Sequence, residues 1–102
     1  MKQVQLMAQV KKMQADMVKA QEELANTIVT GTAAGGAVTV ELTCDQRVKS
    51  VTLKKEAVDP EDVETLEDLI TVALNDALAK SLETSQQRMA SVTGGMRIPG
   101  LM

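Results

Sequence analysis

The sequence predicts an α+β fold in the order α-β-β-β-α, with two long helices on either side of a three-stranded antiparallel meander. Apolar residues recur at helical spacing near both ends of the chain, and they alternate with polar residues in its centre. Short turns separate the alternating segments, which is typical of a meander. The chain has 102 residues, a length that favours a single domain.

The first helix is predicted over residues 2–25. Its apolar residues follow steps of four and three, which is the narrow seam of a coiled coil. The seam residues are Leu6, Val10, Met13, Met17, Ala20 and Leu24. A helix of about 24 residues is about 36 Å long, whereas strands of five residues span only about 17–20 Å. We therefore expect this helix to project beyond the sheet, with a second helix covering its seam.

The strands are predicted from alternation. Residues 28–30 are β-branched and predict a short first strand, and residues 32–36 predict a loop in which Gly35 and Gly36 turn the backbone. The apolar positions of the second strand are Val38, Val40, Leu42 and Cys44. This alternation predicts a half-buried strand.

The third strand follows a turn at Asp45 and Gln46. Val51 and Leu53 continue the apolar alternation, but Val48 has the wrong parity for the same face. An extra residue near positions 49–50 would reconcile the two, so the sequence predicts a β-bulge there.

The second helix is predicted to begin with Asp59 as N-cap and Pro60 as its first residue, followed by acids that favour a helix start. Its wide apolar first half is expected to cover the sheet. Its narrow second half can pair with the projecting helix, in its own subunit or in a partner's. Gly94 and Gly95 are predicted to end the helix. Residues 1–93 then form one domain and residues 94–102 a flexible tail.

The residue types argue against an enzyme. The sequence has no His, which is the commonest general base and metal ligand. Its one cysteine, Cys44, lies on the apolar side of a strand and is predicted to be a core residue. Seven acids between positions 56 and 68 lack the compact arrangement of a metal site, so they are interpreted as a solvated face and as helix-start residues. We predict no catalytic residue and no metal site.

The sequence predicts a soluble protein of the cytoplasm. A single cysteine is typical of a reducing compartment. No signal peptide is apparent, and no apolar run approaches the about 18 residues that a membrane span needs. We expect neither a membrane nor a small-molecule substrate as partner.

Basic residues form the candidate binding site. The net charge is −3, but without the seven acids the rest of the chain is modestly basic. Lys11, Lys12 and Lys19 share the outer face of the first helix, and Lys80 and Arg88 follow the acidic start of the second. Such groups are more often solvated faces than binding sites, although lysines also contact phosphates. Without aromatic residues to stack bases, a duplex is favoured over a single strand.

The ordered segments resemble the YbaB/EbfC family of bacterial nucleoid-associated proteins. The segments that carry the resemblance are Met7-Ala-Gln-Val-Lys-Lys-Met-Gln14, Val29-Thr-Gly31 with Gly35-Gly-Ala-Val-Thr-Val40, Leu66-Glu-Asp-Leu69, Leu74-Asn-Asp-Ala77, and Met89-Ala-Ser-Val-Thr-Gly-Gly-Met96 with Pro99-Gly100. No single segment is decisive, but the set covers nearly the whole chain in order.

The resemblance implies a homodimer whose long helices project like tweezers. It also implies a nucleoid location, binding to double-stranded DNA that changes DNA conformation, an influence on gene expression, no cofactor and no enzymatic activity. The positions that match the projecting helices offer Lys11, Lys12, Lys19, Lys80 and Arg88 as DNA contacts. An alternative stays open: a protein-interaction module that grips a partner helix with the Met-rich seam of Leu6, Val10, Met13, Met17 and Leu24, without direct DNA binding.

Overall fold

A long helix, three strands and a second long helix follow one another along the chain, as the sequence predicts. The structure is a computed structural model that describes residues 2–93. The elements are α1 (Lys2–Ala25), β1 (Ile28–Ala33), β2 (Val38–Thr43), β3 (Val48–Leu53) and α2 (Val63–Thr93), with short 3-10 turns at Ala34–Gly36 and Lys55–Ala57. The predicted α+β fold class is confirmed.

The sheet is an antiparallel meander in the order β1-β2-β3. Between β2 and β3, Glu41 lies opposite Ser50, whereas the next residue, Leu42, lies opposite Val48. Lys49 is therefore the extra residue of a bulge, which confirms the parity argument.

The first strand is longer than predicted. Residues 32 and 33 belong to β1, where they pair with Thr39 and Val38, so the predicted loop over residues 32–36 is wrong at its start. The chain reverses in fewer residues because Ala34, Gly35 and Gly36 all have positive φ, at 52°, 66° and 95°. The glycines adopt this conformation without steric cost, which confirms their turning role.

The core lies between the sheet and the first half of α2. Val38, Val40 and Leu42 are buried against Ala73 and Ala77. Small residues on α2 let the helix lie close to the strands. Cys44 is also buried, as predicted.

The second helix begins later than predicted. The Asp59 carboxylate accepts a hydrogen bond from the Glu61 amide at 2.9 Å, which makes a local turn and not a helix cap. Asp62 is the residue that caps α2, through the amide and the hydroxyl of Thr65 at 3.4 and 2.7 Å. The helix therefore starts at Val63, one turn after Pro60.

The two helices pair over part of their length. Leu24 of the predicted seam is buried and Met13 and Met17 are half-buried, whereas Leu6 and Val10 are exposed. The second half of α2 thus covers only the C-terminal half of the seam, and the first half of α1 projects as expected. The predicted helix stop at residues 94–95 and the predicted tail lie outside the described residues.

Candidate nucleic-acid interface

Lys11, Lys12 and Lys19 lie on the exposed side of α1. A helix turns by about 100° per residue, so Lys11, Lys12 and Lys19 point about 110–150° away from the seam that packs on α2. None of the three is in an ion pair within residues 2–93. Because side chains of this length reach freely from a helix surface, this face can present three ammonium groups to a polyanion.

Lys80 makes contacts within the fold in addition to carrying a positive charge. Its Nζ donates a hydrogen bond to the backbone oxygen of Thr30 at 2.9 Å and lies 3.2 Å from Oδ2 of Asp76. The same Asp76 oxygen accepts a hydrogen bond from the Thr32 amide at 3.0 Å. Asp76 and Lys80 therefore engage the backbone groups on the open edge of β1, and we call this pair the β1 clamp.

The β1 clamp is electrostatically favourable. The Thr32 amide and the Lys80 ammonium hold the pKa of Asp76 below its ordinary value. The ionised carboxylate is therefore the form that the fold stabilises.

Arg88 joins the two helices. Its Nε donates a hydrogen bond to Oε2 of Glu23 at 2.8 Å, and Nη1 lies 3.5 Å from the hydroxyl of Ser91. The guanidinium is the main reason that the pKa of Glu23 is lowered. Since both side chains remain partly exposed, solvent screens the pair and its contribution to stability is small, but it links α1 directly to α2.

The predicted site is thus brought together only in part. The α1 lysines form one exposed group, while Lys80 and Arg88 lie on α2 with intramolecular partners. Sequence reasoning missed those partners. The spacing of Asp76 and Lys80 is the i,i+4 pattern of a helical ion pair and could have been found. Glu23 and Arg88 are 65 residues apart and carry no local signal.

The acidic start of α2 is exposed, as the solvated-face interpretation expects. Within residues 2–93 no three His, Cys, Asp or Glu side chains are grouped to hold a metal ion. None of the helices in that range combines the length and the apolar character needed to cross a membrane.

Comparison with known proteins shows where the chain belongs. Residues 1–96 match the profile of the YbaB/EbfC DNA-binding family. A nucleoid-associated protein of Chloroflexus aurantiacus is 50% identical over 97 residues, which cover 95% of this chain and 97% of that protein. One from Desulforamulus reducens is 53% identical over 96 residues, covering 94% and 91%.

A solved structure supports the fold. The crystal structure of an uncharacterized Helicobacter pylori protein is similar with a TM-score of 0.72 at 23% identity, and the match covers 82% of this chain and 88% of that one. The family match spans both helices and the whole sheet, so this chain belongs to the YbaB/EbfC DNA-binding family.

Proposed function

We propose that this chain is a nucleoid-associated protein of the cytoplasm that acts as a homodimer and binds duplex DNA with little sequence preference. Family membership supports DNA as the ligand, and the relatives named above are nucleoid-associated proteins. Family membership does not favour the alternative of a protein-interaction module. The residue-level observation that carries the proposal is the exposed face of Lys11, Lys12 and Lys19 on α1.

Such a face favours phosphate contacts over base contacts. Lysine is a point charge on a flexible stem, so it neutralises phosphates without reading a donor and acceptor pattern. Lys80 and Arg88 are assigned a smaller share of the DNA contact, because each would have to leave an intramolecular partner to reach a phosphate. Catalysis is not part of the proposal, since the sequence has no His and its one cysteine, Cys44, is buried.

The test is fluorescence anisotropy of a labelled random-sequence duplex of about 30 base pairs, titrated at salt concentrations between about 50 and 200 mM. Replacing Lys11, Lys12 and Lys19 together with Ala is expected to weaken binding alike for all sequences. The dependence of log K on log salt should flatten by about one for each phosphate that the variant no longer neutralises.

The matched control replaces Gln9, Gln14 and Gln21 with Ala. These residues are also exposed on α1 but carry no charge, so affinity and salt slope should stay as in the wild type. Unchanged affinity in a folded triple-lysine variant would rule out this face of α1. Absence of binding by the wild type at the lowest salt would overturn the proposed DNA contact itself.

A further inference from the structure

Charge is distributed unevenly along α1. Residues 2–15 contain three lysines and no acid, whereas residues 16–25 contain Lys19 together with Asp16, Glu22 and Glu23. The projecting half of the helix is therefore cationic, and the half that packs on α2 carries an excess of acids. A duplex that lies along α1 meets cations on the projecting half and then a region in which carboxylates oppose its phosphates.

Arg88 brings a second cation to this acidic half. It reaches α1 from α2, and its Nε donates a hydrogen bond to Oε2 of Glu23 at 2.8 Å. Lys19 lies about one helical turn before Glu23 on α1. The charge of Lys19 adds to the larger effect of the Arg88 hydrogen bond in lowering the pKa of Glu23. Two cations, one from each helix, therefore act on a single carboxylate.

The contacts of Arg88 engage the groups that a phosphate would need. A guanidinium binds phosphate most strongly through two parallel N–H groups. Glu23 accepts a hydrogen bond from Nε, and Nη1 lies 3.5 Å from the hydroxyl of Ser91. The edge of the guanidinium that includes Nε is therefore closed to a phosphate while Glu23 is bound. The carboxylate also offsets the positive charge that would attract the phosphate.

The pair of Arg88 and Glu23 is weak enough for a phosphate to displace the carboxylate. The two side chains remain 31% and 46% exposed, and solvent screens an ion pair at such a surface. A duplex presents a row of phosphates and releases counterions as each phosphate is neutralised. The carboxylate of Glu23 and the DNA backbone can therefore exchange for one another at the guanidinium.

We propose that Glu23 competes with DNA phosphates for Arg88 and thereby limits the contact of this protein with duplex DNA. The inference deepens the DNA binding proposed above and rests on it. While Glu23 holds Arg88, the α1 lysines make most of the contact. Without that carboxylate, Arg88 joins Lys19 in neutralising a further phosphate, at the part of α1 that packs on α2.

The test is an anisotropy titration of the full chain against a labelled duplex of about 30 base pairs, at salt concentrations between about 50 and 200 mM. Glu23→Gln is expected to bind about fivefold more tightly than the wild type. It should also steepen the dependence of log K on log salt by about one, because one more phosphate is neutralised.

The matched control is Glu22→Gln, which removes the same charge from the neighbouring position. Glu22 is exposed and lines the same shallow depression as Lys19 and Glu23, but it is in no ion pair within residues 2–93. This variant should gain less than about twofold in affinity, with the salt slope of the wild type. A Glu23→Gln variant that binds no more tightly than Glu22→Gln would overturn the competition.

A double-mutant cycle tests whether the gain comes from Arg88. Arg88→Ala is expected to weaken binding by about twofold in the wild type and by about tenfold in the Glu23→Gln background. Equal losses in the two backgrounds would contradict the proposal. A Glu23→Gln variant that binds less tightly than the wild type would show that Glu23 positions Arg88 for DNA, and would also overturn it.

Glu23→Asp keeps the test valid if Glu23→Gln does not fold. This variant retains the charge but withdraws the carboxylate by one methylene, so it should loosen the contact with Arg88 and bind DNA more tightly than the wild type. A wild type that does not bind DNA at the lowest salt overturns the proposed function and this inference with it. A wild type that binds, with no gain in the Glu23 variants, overturns only the competition.

Discussion

Gly31 of β1 lies directly against the backbone of α2 and leaves no room for a larger residue. A Cβ built on Gly31 would lie 2.2 Å from the backbone oxygen of Ala73 and 2.3 Å from the amide nitrogen of Ala77. Both are backbone atoms of α2, which cannot turn aside as a side chain can. The glycine thus sets how closely α2 lies on β1, and this contact also brings Asp76 and Lys80 within reach of the strand edge.

We expect Gly31→Ala to lower the free energy of unfolding by about 3 kcal/mol or more, because α2 must move off the sheet to admit the methyl group. Denaturant unfolding followed by circular dichroism measures this loss. Gly35→Ala is the control, since nothing lies within 4 Å of its Cβ position and only its φ of 66° is unfavourable. That variant should lose about 1 kcal/mol. Equal losses in the two variants would contradict the role given to the close approach.

A side chain whose position in the fold is predicted correctly can still have contacts that the sequence does not predict. The burial of Cys44 follows from strand alternation and is confirmed. The hydrogen bond from Lys80 to the backbone oxygen of Thr30 is not predictable from alternation, because it joins residues 50 positions apart. Residue type and spacing therefore predict which side chains can form polar contacts. The packing of α2 on β1 decides which of them have partners within the chain.

At the scale of the elements, the residue at which a helix or strand begins or ends is chosen among neighbouring residues that are each suitable. Asp59 and Asp62 are both good capping residues, and the apolar periodicity of the helix does not show which of the two caps it. The structure selects Asp62 because Thr65 supplies both an amide and a hydroxyl to it. The end of β1 likewise has contacts from two other elements, since Thr32 pairs with Thr39 of β2 and its amide donates a hydrogen bond to Asp76 of α2.

The β1 clamp predicts a pH dependence of stability. The pKa of Asp76 is lowered in the folded chain, so its ionised form stabilises the fold above its ordinary pKa, and this contribution disappears as pH falls through the lowered pKa. We expect the difference in unfolding free energy between the wild type and Asp76→Asn to be full at neutral pH and to shrink below about pH 4. Urea unfolding at a series of pH values measures it.

A neighbouring substitution without a titrating group provides the control for this pH series. Asn75→Ala changes an exposed residue of the same helix turn, so its difference from the wild type should not vary with pH. An Asp76→Asn difference that persists unchanged in acid would show that the clamp does not depend on the charge of Asp76.

At the scale of the whole molecule, the acidic start of α2 lies far from the lysines Lys11, Lys12 and Lys19 of α1. The chain is elongated, with extents of 72 × 26 × 16 Å. The acidic run of residues 56–68 lies around the start of α2, whereas Lys11, Lys12 and Lys19 lie on α1, which pairs with the other end of α2. From Glu64 to Ser81 alone, α2 rises about 26 Å. This is about three times the Debye length of about 8 Å at physiological salt.

Neutralising the acids should therefore hardly affect DNA binding at physiological salt. For the combined variant Glu61→Gln, Glu64→Gln and Asp68→Asn we expect the DNA dissociation constant to change by less than about twofold at 0.15 M salt. At about 10 mM salt, where the Debye length reaches about 30 Å, the same variant should bind more tightly than the wild type. Anisotropy titrations at the two salt concentrations provide the measurement. A large gain in affinity at 0.15 M salt would place the acids beside the DNA and contradict binding through the α1 lysines.

Local sequence patterns were enough to predict the types and order of the elements, the bulge at Lys49 and the burial of Cys44, because each follows from periodicity within a few residues. They also placed Lys11, Lys12 and Lys19 on one side of α1 for the same reason. Only the folded chain shows how far α2 covers the α1 seam and that β3 stays partly uncovered. It alone also shows the contacts of Lys80 with Thr30 and of Arg88 with Glu23. These features depend on how closely α2 lies on β1 and along α1, a contact between distant segments that no local pattern encodes.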